Sequence, residues 1–174
     1  GRLTPNDPLE IRPKALDGPR HYCFHPRKDL IYMSNEQGGS VTVYALDAAN
    51  GTLTARQTIS TLPESYGDRK LCSQIQIHPK GTHLYVGNRG HDTIASFSID
   101  EMTGALSATG WTQVGPVPRA FSLDPTGNFL YVTSLEAGNM ICFRVDQRSG
   151  TLDRLETYDV GSLPMWVLIT DLAR

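Results

Sequence analysis

Short apolar stretches alternate with turn residues along the chain, and three stretches repeat this alternation in the same order. Each repeat reads as a β-rich segment, a His-Pro or Asp-Pro turn, a Tyr-containing segment, an alternating segment and a Gly-containing hairpin. In residues 41–46, the order Val-Thr-Val-Tyr-Ala-Leu places Val41, Val43 and Ala45 on one face of a strand. Such runs, bounded by turns, predict four short strands per repeat and no helix of useful length.

Landmark residues recur with constant spacing. Turn prolines, strand tyrosines and hairpin glycines all reappear after 53 and then 46 residues. They are Pro26, Pro79 and Pro125, then Tyr32, Tyr85 and Tyr131, and then Gly51, Gly104 and Gly150. Four strands in a unit of about 45 residues are typical of a β-propeller blade. We therefore predict an all-β fold, a β-propeller of four-stranded antiparallel blades with about three complete blades plus partial ones.

One partial β-propeller domain is expected across residues 1–174. Its units are predicted at approximately 19–60, 73–117 and 118–160. Residues 1–18 have the pattern of the end of a preceding blade, and residues 161–174 restart the first-strand pattern, which predicts a closing strand. The connection at 60–73 is long for a compact repeat, and both a functional loop and a tolerated surface insertion remain open.

Composition narrows the function classes. With 39% hydrophobic and 20% charged residues, the chain is expected to form a packed core rather than remain disordered. A formal net charge of −2 argues against a typical nucleic-acid binder, and no apolar run is long enough to predict a membrane span. Cys23, Cys72 and Cys142 lack metal-ligand spacing, so we expect reduced thiols in a cytoplasmic protein. We also expect no cofactor and no metal.

The up-and-down course of a blade sorts polar residues onto two faces, because successive turns lie at opposite ends of the sheet. One face carries the predicted catalytic residues Arg20, Glu36 and Arg89 and the predicted substrate-binding residues His21, Asn35, Asn88, His91 and Arg119. Arginine pairs bidentately with carboxylate or phosphate, and a carboxylate serves as a general base. The pattern therefore indicates a small anionic substrate.

Structural roles for the same residues remain open alternatives. Arg20 and Arg119 fit a role in joining adjacent blades through backbone carbonyls, and a glutamate at a strand end, such as Glu36, is often simply solvated. The opposite face carries turn residues, for which we predict a structural role: His25, His78, His83 and Asp124.

Several motifs carry a family resemblance. The segments GPRHYCFHP, IYMSNE, the STLP loop, HLYVGNRGHDTIASFSID, PRAFSLDPTGNFLYV and GSLPMWVLI resemble the seven-bladed lactonase family, which includes bacterial 6-phosphogluconolactonases and fungal carboxy-muconate cyclases. The resemblance implies an active site on one face of a central channel, with no metal needed for the chemistry. Its Pro-Arg-His, Asn-Glu and Asn-Arg motifs place the proposed catalytic set at Arg20 with His21, at Glu36 and at Arg89, and Arg119 matches a further Pro-Arg motif.

The resemblance also implies a function and a larger parent. It favours a lactone hydrolase acting on 6-phosphogluconolactone in the pentose phosphate pathway, with a carboxy-muconate cycloisomerase or a non-enzymatic binding scaffold as alternatives. Three blades correspond to the C-terminal half of a seven-bladed ring, so we expect a full-length protein about twice as long. A catalytic histidine that the family draws from earlier blades has no counterpart here. We expect the chain to need the missing N-terminal blades or self-association.

Overall fold

The chain folds into three consecutive four-stranded antiparallel sheets, seen in a computed structural model that describes residues 1–69 and 71–171. The strands are β1 (Pro19–Phe24), β2 (Leu30–Asn35), β3 (Ser40–Asp47), β4 (Thr52–Ser60), β5 (Cys72–Ile77), β6 (His83–Asn88), β7 (Thr93–Ile99), β8 (Leu106–Gln113), β9 (Pro118–Leu123), β10 (Phe129–Ser134), β11 (Asn139–Val145) and β12 (Leu152–Asp159). We call β1–β4 blade 1, β5–β8 blade 2 and β9–β12 blade 3. The predicted all-β fold of four-stranded antiparallel blades is confirmed.

The first strands of the three blades lie next to one another, since β1 contacts β5 and β5 contacts β9. Within each sheet the strands follow chain order, so the fourth strand is the one farthest from those contacts. The blades therefore radiate from a shared inner edge, as the blades of a propeller do. The described residues contain no helix long and apolar enough to cross a membrane.

Two hydrophobic cores fill the spaces between blades. In β6, Leu84 and Val86 belong to the core shared with blade 1, whereas Tyr85 belongs to the core shared with blade 3. This division follows from the two-residue period of a strand, which sends neighbouring side chains to opposite faces. Blade 2 is consequently apolar on both faces, and each face is buried by a neighbouring blade.

The landmark tyrosines and glycines of the sequence form hydrogen bonds between blades. The hydroxyl of Tyr32 donates to the carbonyl of Gly104 at 3.0 Å, and the hydroxyl of Tyr85 donates to the carbonyl of Gly150 at 2.9 Å. Burial raises the pKa of both tyrosines, which keeps the hydroxyls protonated as donors. Gly104 has a φ of +75°, and a Cβ there would lie 2.1 Å from Cδ1 of Leu30. This hairpin of blade 2 therefore requires glycine at the point where Leu30 of blade 1 approaches it.

Histidines in the turns join the blades at the opposite face. Nε2 of His78 lies 3.2 Å from the carbonyl oxygen of Gly127 in blade 3, while its Nδ1 accepts from the backbone N–H of Lys80 at 3.1 Å. His25 repeats part of this arrangement one blade earlier, because its Nδ1 accepts from the backbone N–H of Arg27 at 3.1 Å and its ring lies against Gly81 of blade 2. These contacts explain the His-Pro turns as structural elements, as predicted.

The other two turn residues are structural as well. The ring of His83 is buried against Gly150 of blade 3, where a Cβ would lie 2.2 Å from its Cδ2. Asp124 takes the place of the turn histidine in blade 3, and it accepts hydrogen bonds from Thr126 and from the backbone N–H of Phe129. The turn of blade 3 is thus stabilised by hydrogen bonds within the same blade.

The two ends of the chain form no strand in the described residues. Residues 1–18 precede blade 1 as irregular chain, and the Asn6 side chain donates to the carbonyl of Gly51 at 2.9 Å. Residues 161–171, where the sequence predicts a closing strand, form no strand in this structure, and Val167, Leu168 and Ile169 line a 390 Å³ cavity with Tyr131. A first strand pairs with a second strand of its own blade, and no described residue supplies that partner. The last three residues of the predicted strand, 172–174, lie outside the described residues.

Removing one inter-blade hydroxyl is expected to lower stability without changing the fold. Tyr85→Phe leaves the Gly150 carbonyl without its donor, and we expect the free energy of unfolding of the full-length protein to fall by about 1–2 kcal/mol. Urea unfolding measures this difference. Tyr44→Phe is the matched control, because the Tyr44 side chain is also buried but its hydroxyl makes no hydrogen bond with the described residues. Equal losses in the two variants would contradict the role assigned to Tyr85.

Stability is expected to fall on mild acidification. Burial lowers the pKa of His25, His78 and His83, although backbone hydrogen bonds oppose the shift. The neutral rings therefore stabilise the fold above the unfolded-chain pKa of about 6.5, and this contribution is lost as the pH falls below it. Urea midpoints measured at about pH 7.5 and about pH 5.5 should show the loss. His78→Gln should be less stable at the higher pH and less sensitive to acid, and an unchanged pH dependence would argue against the histidine contacts.

Candidate functional site

Three charged side chains meet at the rim between blades 1 and 2. Glu36 and Arg89 follow the second strands of their blades and occupy equivalent positions in the repeats, while Arg20 is the second residue of β1. Arg89 Nη2 donates to Glu36 Oε1, and Arg20 Nε lies 3.6 Å from Glu36 Oε2. The side chains of Arg20, Glu36 and Arg89 are 17%, 24% and 14% exposed. The structure therefore brings the three predicted catalytic residues together in one partly buried cluster.

Backbone hydrogen bonds hold this cluster in place. The N–H of Glu36 donates to the Gly18 carbonyl at 2.7 Å, and the N–H of Cys72 donates to the Glu36 carbonyl at 3.1 Å. Arg89 is fixed at both ends, because its N–H donates to the Leu71 carbonyl at 3.0 Å and its Nη2 lies 3.3 Å from the Cys72 carbonyl. The start of β5 thus positions both members of the Glu36–Arg89 ion pair.

A chain of serine hydrogen bonds sets the spacing of the three blades at this level. Ser34 Oγ donates to the Ser73 carbonyl at 3.2 Å, and Ser73 Oγ donates to the Pro118 carbonyl at 2.7 Å. Gly87 permits the second contact, because a Cβ there would lie 2.4 Å from Ser73 Oγ. Sequence reasoning missed these serines. The repeat alignment could have identified Ser73, because it occupies in blade 2 the position that Arg20 occupies in blade 1.

Positive charge dominates the cluster. Burial and the charge of Arg89 lower the pKa of Arg20, against the opposing effect of Glu36, and Arg119 lowers it further. Burial, then the charge of Arg20, lowers the pKa of His21, which favours its neutral form. Arg20 Nη1 and Arg89 Nε are buried donors without a partner among the described residues. Buried donors of this kind suit an anionic oxygen, because an unpartnered one costs about 1–3 kcal/mol.

The two asparagines do not reach the surface of the site. Asn35 and Asn88 are 1% and 0% exposed. Asn35 Nδ2 donates to Ser40 Oγ at 3.0 Å, and Asn88 Nδ2 donates to the Thr61 carbonyl at 2.7 Å. The substrate-binding role predicted for them is corrected to a structural one, because their donors are used within the fold at the end of each second strand.

The long connection between blades 1 and 2 packs beside the cluster. The rings of Tyr66 and His91 meet edge to face with centroids 4.9 Å apart, and His91 Nδ1 lies 2.7 Å from Thr93 Oγ1. Gly90, next to Arg89, has a φ of +89°, and a Cβ there would lie 3.3 Å from the Tyr66 hydroxyl. His91 therefore anchors the connection against the turn that carries Arg89, and Tyr66 was not identified from the sequence.

The cysteine beside this cluster has a structural role. Cys23, Cys72 and Cys142 are free thiols, and no group of histidine, cysteine and acidic residues there is arranged to hold a metal ion. Burial raises the pKa of Cys72 to about 12, so the thiol stays protonated, and its Sγ donates to the Asn35 carbonyl at 3.0 Å. Cys72 supports the cluster and is not an activated nucleophile.

Comparisons with known proteins match the chain to a β-propeller family and to longer proteins. A family model described as "Lactonase, 7-bladed beta-propeller" matches residues 1–169. The chain is 36% identical over 172 residues to a 6-phosphogluconolactonase of Pectobacterium carotovorum, and this match covers 99% of the chain and 52% of that protein. It is 33% identical over 169 residues to a 6-phosphogluconolactonase of Cronobacter sakazakii, with 97% and 51% covered.

A solved structure is similar to this chain over part of its own length. The periplasmic gluconolactonase PpgL of Pseudomonas aeruginosa matches with a TM-score of 0.87 and 29% sequence identity, over 92% of this chain and 45% of that protein. The chain spans about half the length of the curated relatives that it matches.

Proposed function

Because this chain belongs to the lactonase family of seven-bladed β-propellers, we propose that the full-length protein containing it hydrolyses a lactone, and that this lactone is 6-phosphogluconolactone. The observation that carries the proposal is the cluster of two guanidinium groups around the carboxylate of Glu36 on the rim between two blades. The names of the two curated relatives support the choice of substrate. The reaction product is 6-phosphogluconate.

The cluster offers a base and donors for lactone hydrolysis. The oxygen of a water molecule attacks the carbonyl carbon, its proton passes to the Glu36 carboxylate, and the carbonyl oxygen becomes an oxyanion. The oxyanion then collapses back to a carbonyl as the ring C–O bond breaks, and the ring oxygen takes the proton that Glu36 had accepted and becomes a hydroxyl, so that one water is consumed per lactone opened. A positioned general base contributes about 10²–10⁴-fold to the rate.

The arginines supply the matching electrostatic stabilisation. The Nη1 donor of Arg20 and the Nε donor of Arg89 are buried and unpartnered among the described residues, beside the base. Preorganised donors at a developing oxyanion contribute about 3–4 kcal/mol each, more than they would in water, because the surroundings are partly dry. The two arginines therefore hold the carboxylate and bind the transition state.

Glu36→Gln in the full-length protein tests the base. The substitution keeps the shape of the side chain and removes the proton acceptor, so we expect kcat on freshly prepared 6-phosphogluconolactone to fall about 10²–10⁴-fold. Acid release is followed at constant pH, with the spontaneous hydrolysis subtracted. Glu136→Gln is the control, because Glu136 is exposed on blade 3, and its kcat should be unchanged. Full activity of Glu36→Gln would remove Glu36 from the mechanism, and activity on a carboxy-muconolactone alone would favour the cycloisomerase.

We also propose that the three blades work within a ring completed by further blades of the full-length protein. On blade 1, Tyr22 and Phe24 are 57% and 54% exposed although they belong to a strand of a packed sheet. On blade 3, the landmark Tyr131 has no hairpin glycine to which it can donate among the described residues. Both outer faces therefore carry the same kinds of residue that are buried between blades.

Hydrodynamic comparison tests the ring. Residues 1–174 produced alone should self-associate or melt without a sharp transition, because exposed strand edges and apolar faces favour association. The full-length protein should be a defined species with a cooperative melt. Size-exclusion chromatography and thermal unfolding of both proteins make the comparison. A monomeric 174-residue chain with a sharp melt would contradict the proposal.

A further inference from the structure

We infer that Arg119 binds the exocyclic phosphate of the substrate and thereby selects phosphorylated over unphosphorylated lactones. This inference rests on the proposed function, since it assigns a second anionic group of the same substrate to a residue outside the Glu36 cluster. It treats Arg119 as a specificity-determining residue, whereas Arg20 and Arg89 act on the lactone carbonyl.

The repeat positions distinguish Arg119 from Arg20. Both are the second residue of a first strand, and each is preceded by proline. In blade 1 the residue after the second strand is Glu36, which pairs with Arg20, but in blade 3 the equivalent residue is Leu135. Blade 3 thus repeats the arginine of blade 1 and lacks its carboxylate.

Among the described residues, the Arg119 side chain forms neither an ion pair nor a hydrogen bond, whereas Arg20 and Arg89 are both paired with Glu36. Glu136 follows Leu135, but it is exposed and forms no ion pair with Arg119. Arg119 is only partly buried, so part of the residue remains accessible to solvent. It is the member of the arginine group whose donors are not committed to a carboxylate.

Arg119 also lies at the same level of the propeller as the Glu36 cluster. Its neighbour Pro118 accepts the hydrogen bond from Ser73 that ends the serine chain across the three blades. Burial and the charge of Arg20 are the main causes that lower the pKa of His21, and the charge of Arg119 lowers it further. Arg119 therefore lies on the same rim as Arg20, near enough for its charge to lower the pKa of Arg20 as well, and a phosphate matches its guanidinium fork.

Kinetics on paired substrates test the inference. Arg119→Gln in the full-length protein is assayed with 6-phosphogluconolactone and with unphosphorylated gluconolactone. We expect kcat/KM for the phosphorylated lactone to fall at least about tenfold, mainly through KM, because a charge-assisted hydrogen-bonded pair is lost. The value for the unphosphorylated lactone should change less than about twofold. Arg144→Gln is the control, because Arg144 is exposed at the opposite end of blade 3 and should leave both values unchanged.

Equal losses on the two lactones, or no loss on either, would overturn the assignment of Arg119. A binding measurement separates this outcome from failure of the proposed function. Calorimetry should show that the wild-type protein binds 6-phosphogluconate more tightly than gluconate, and that Arg119→Gln removes the difference. If neither lactone is hydrolysed but this binding difference is found, the phosphate assignment stands and the hydrolase proposal falls. If the wild-type protein binds both acids equally, the assignment of Arg119 falls.

Discussion

The fold depends on hydrogen bonds that cross from one blade to the next. The strand tyrosines of blades 1 and 2 each donate to the hairpin glycine one repeat later, Tyr32 to Gly104 and Tyr85 to Gly150. Turn histidines such as His78 bind the following blade at the other end of the sheet. A blade that lost its neighbour would lose these hydrogen bonds and would expose to water the apolar face that the neighbour buries. The blades are therefore stable as a sequence of neighbours and not as separate units.

This dependence explains why the charged cluster lies between blades. Glu36 belongs to blade 1 and Arg89 to blade 2, and their ion pair is held by the start of β5, where Cys72 bonds to the backbone of Glu36 and accepts from Arg89. Any shift of blade 2 against blade 1 would change that geometry directly. The tyrosine and serine contacts thus set the position of the cluster, because they fix the distance between the two sheets that carry it.

Local patterns in the sequence were sufficient for the blades and for part of the site. Constant spacing of tyrosine and glycine predicted the units, and the alternation of turns placed Arg20, Glu36 and Arg89 on one face. The asparagines were misjudged, because a residue at the end of a strand points either to the rim or into the blade, and the sequence does not distinguish the two. Residues 161–171 repeat a strand pattern, but a strand also needs a partner, which is not a local property.

Repetition makes the differences between blades informative. Two positions differ between the blades: the second residue of the first strand and the residue after the second strand. The first position is Arg20, Ser73 and Arg119 in blades 1, 2 and 3, and the second is Glu36, Arg89 and Leu135. In blade 2 the serine joins neighbouring strands and the arginine crosses to the carboxylate of blade 1. Blade 3 has no carboxylate at this position, so its arginine stays unpaired with any acidic side chain of the described residues. The same two backbone positions therefore provide three different features on one rim. They are the Glu36–Arg89 ion pair between blades 1 and 2, the serine hydrogen bond from blade 2 to blade 3, and an arginine of blade 3 without a carboxylate partner among the described residues.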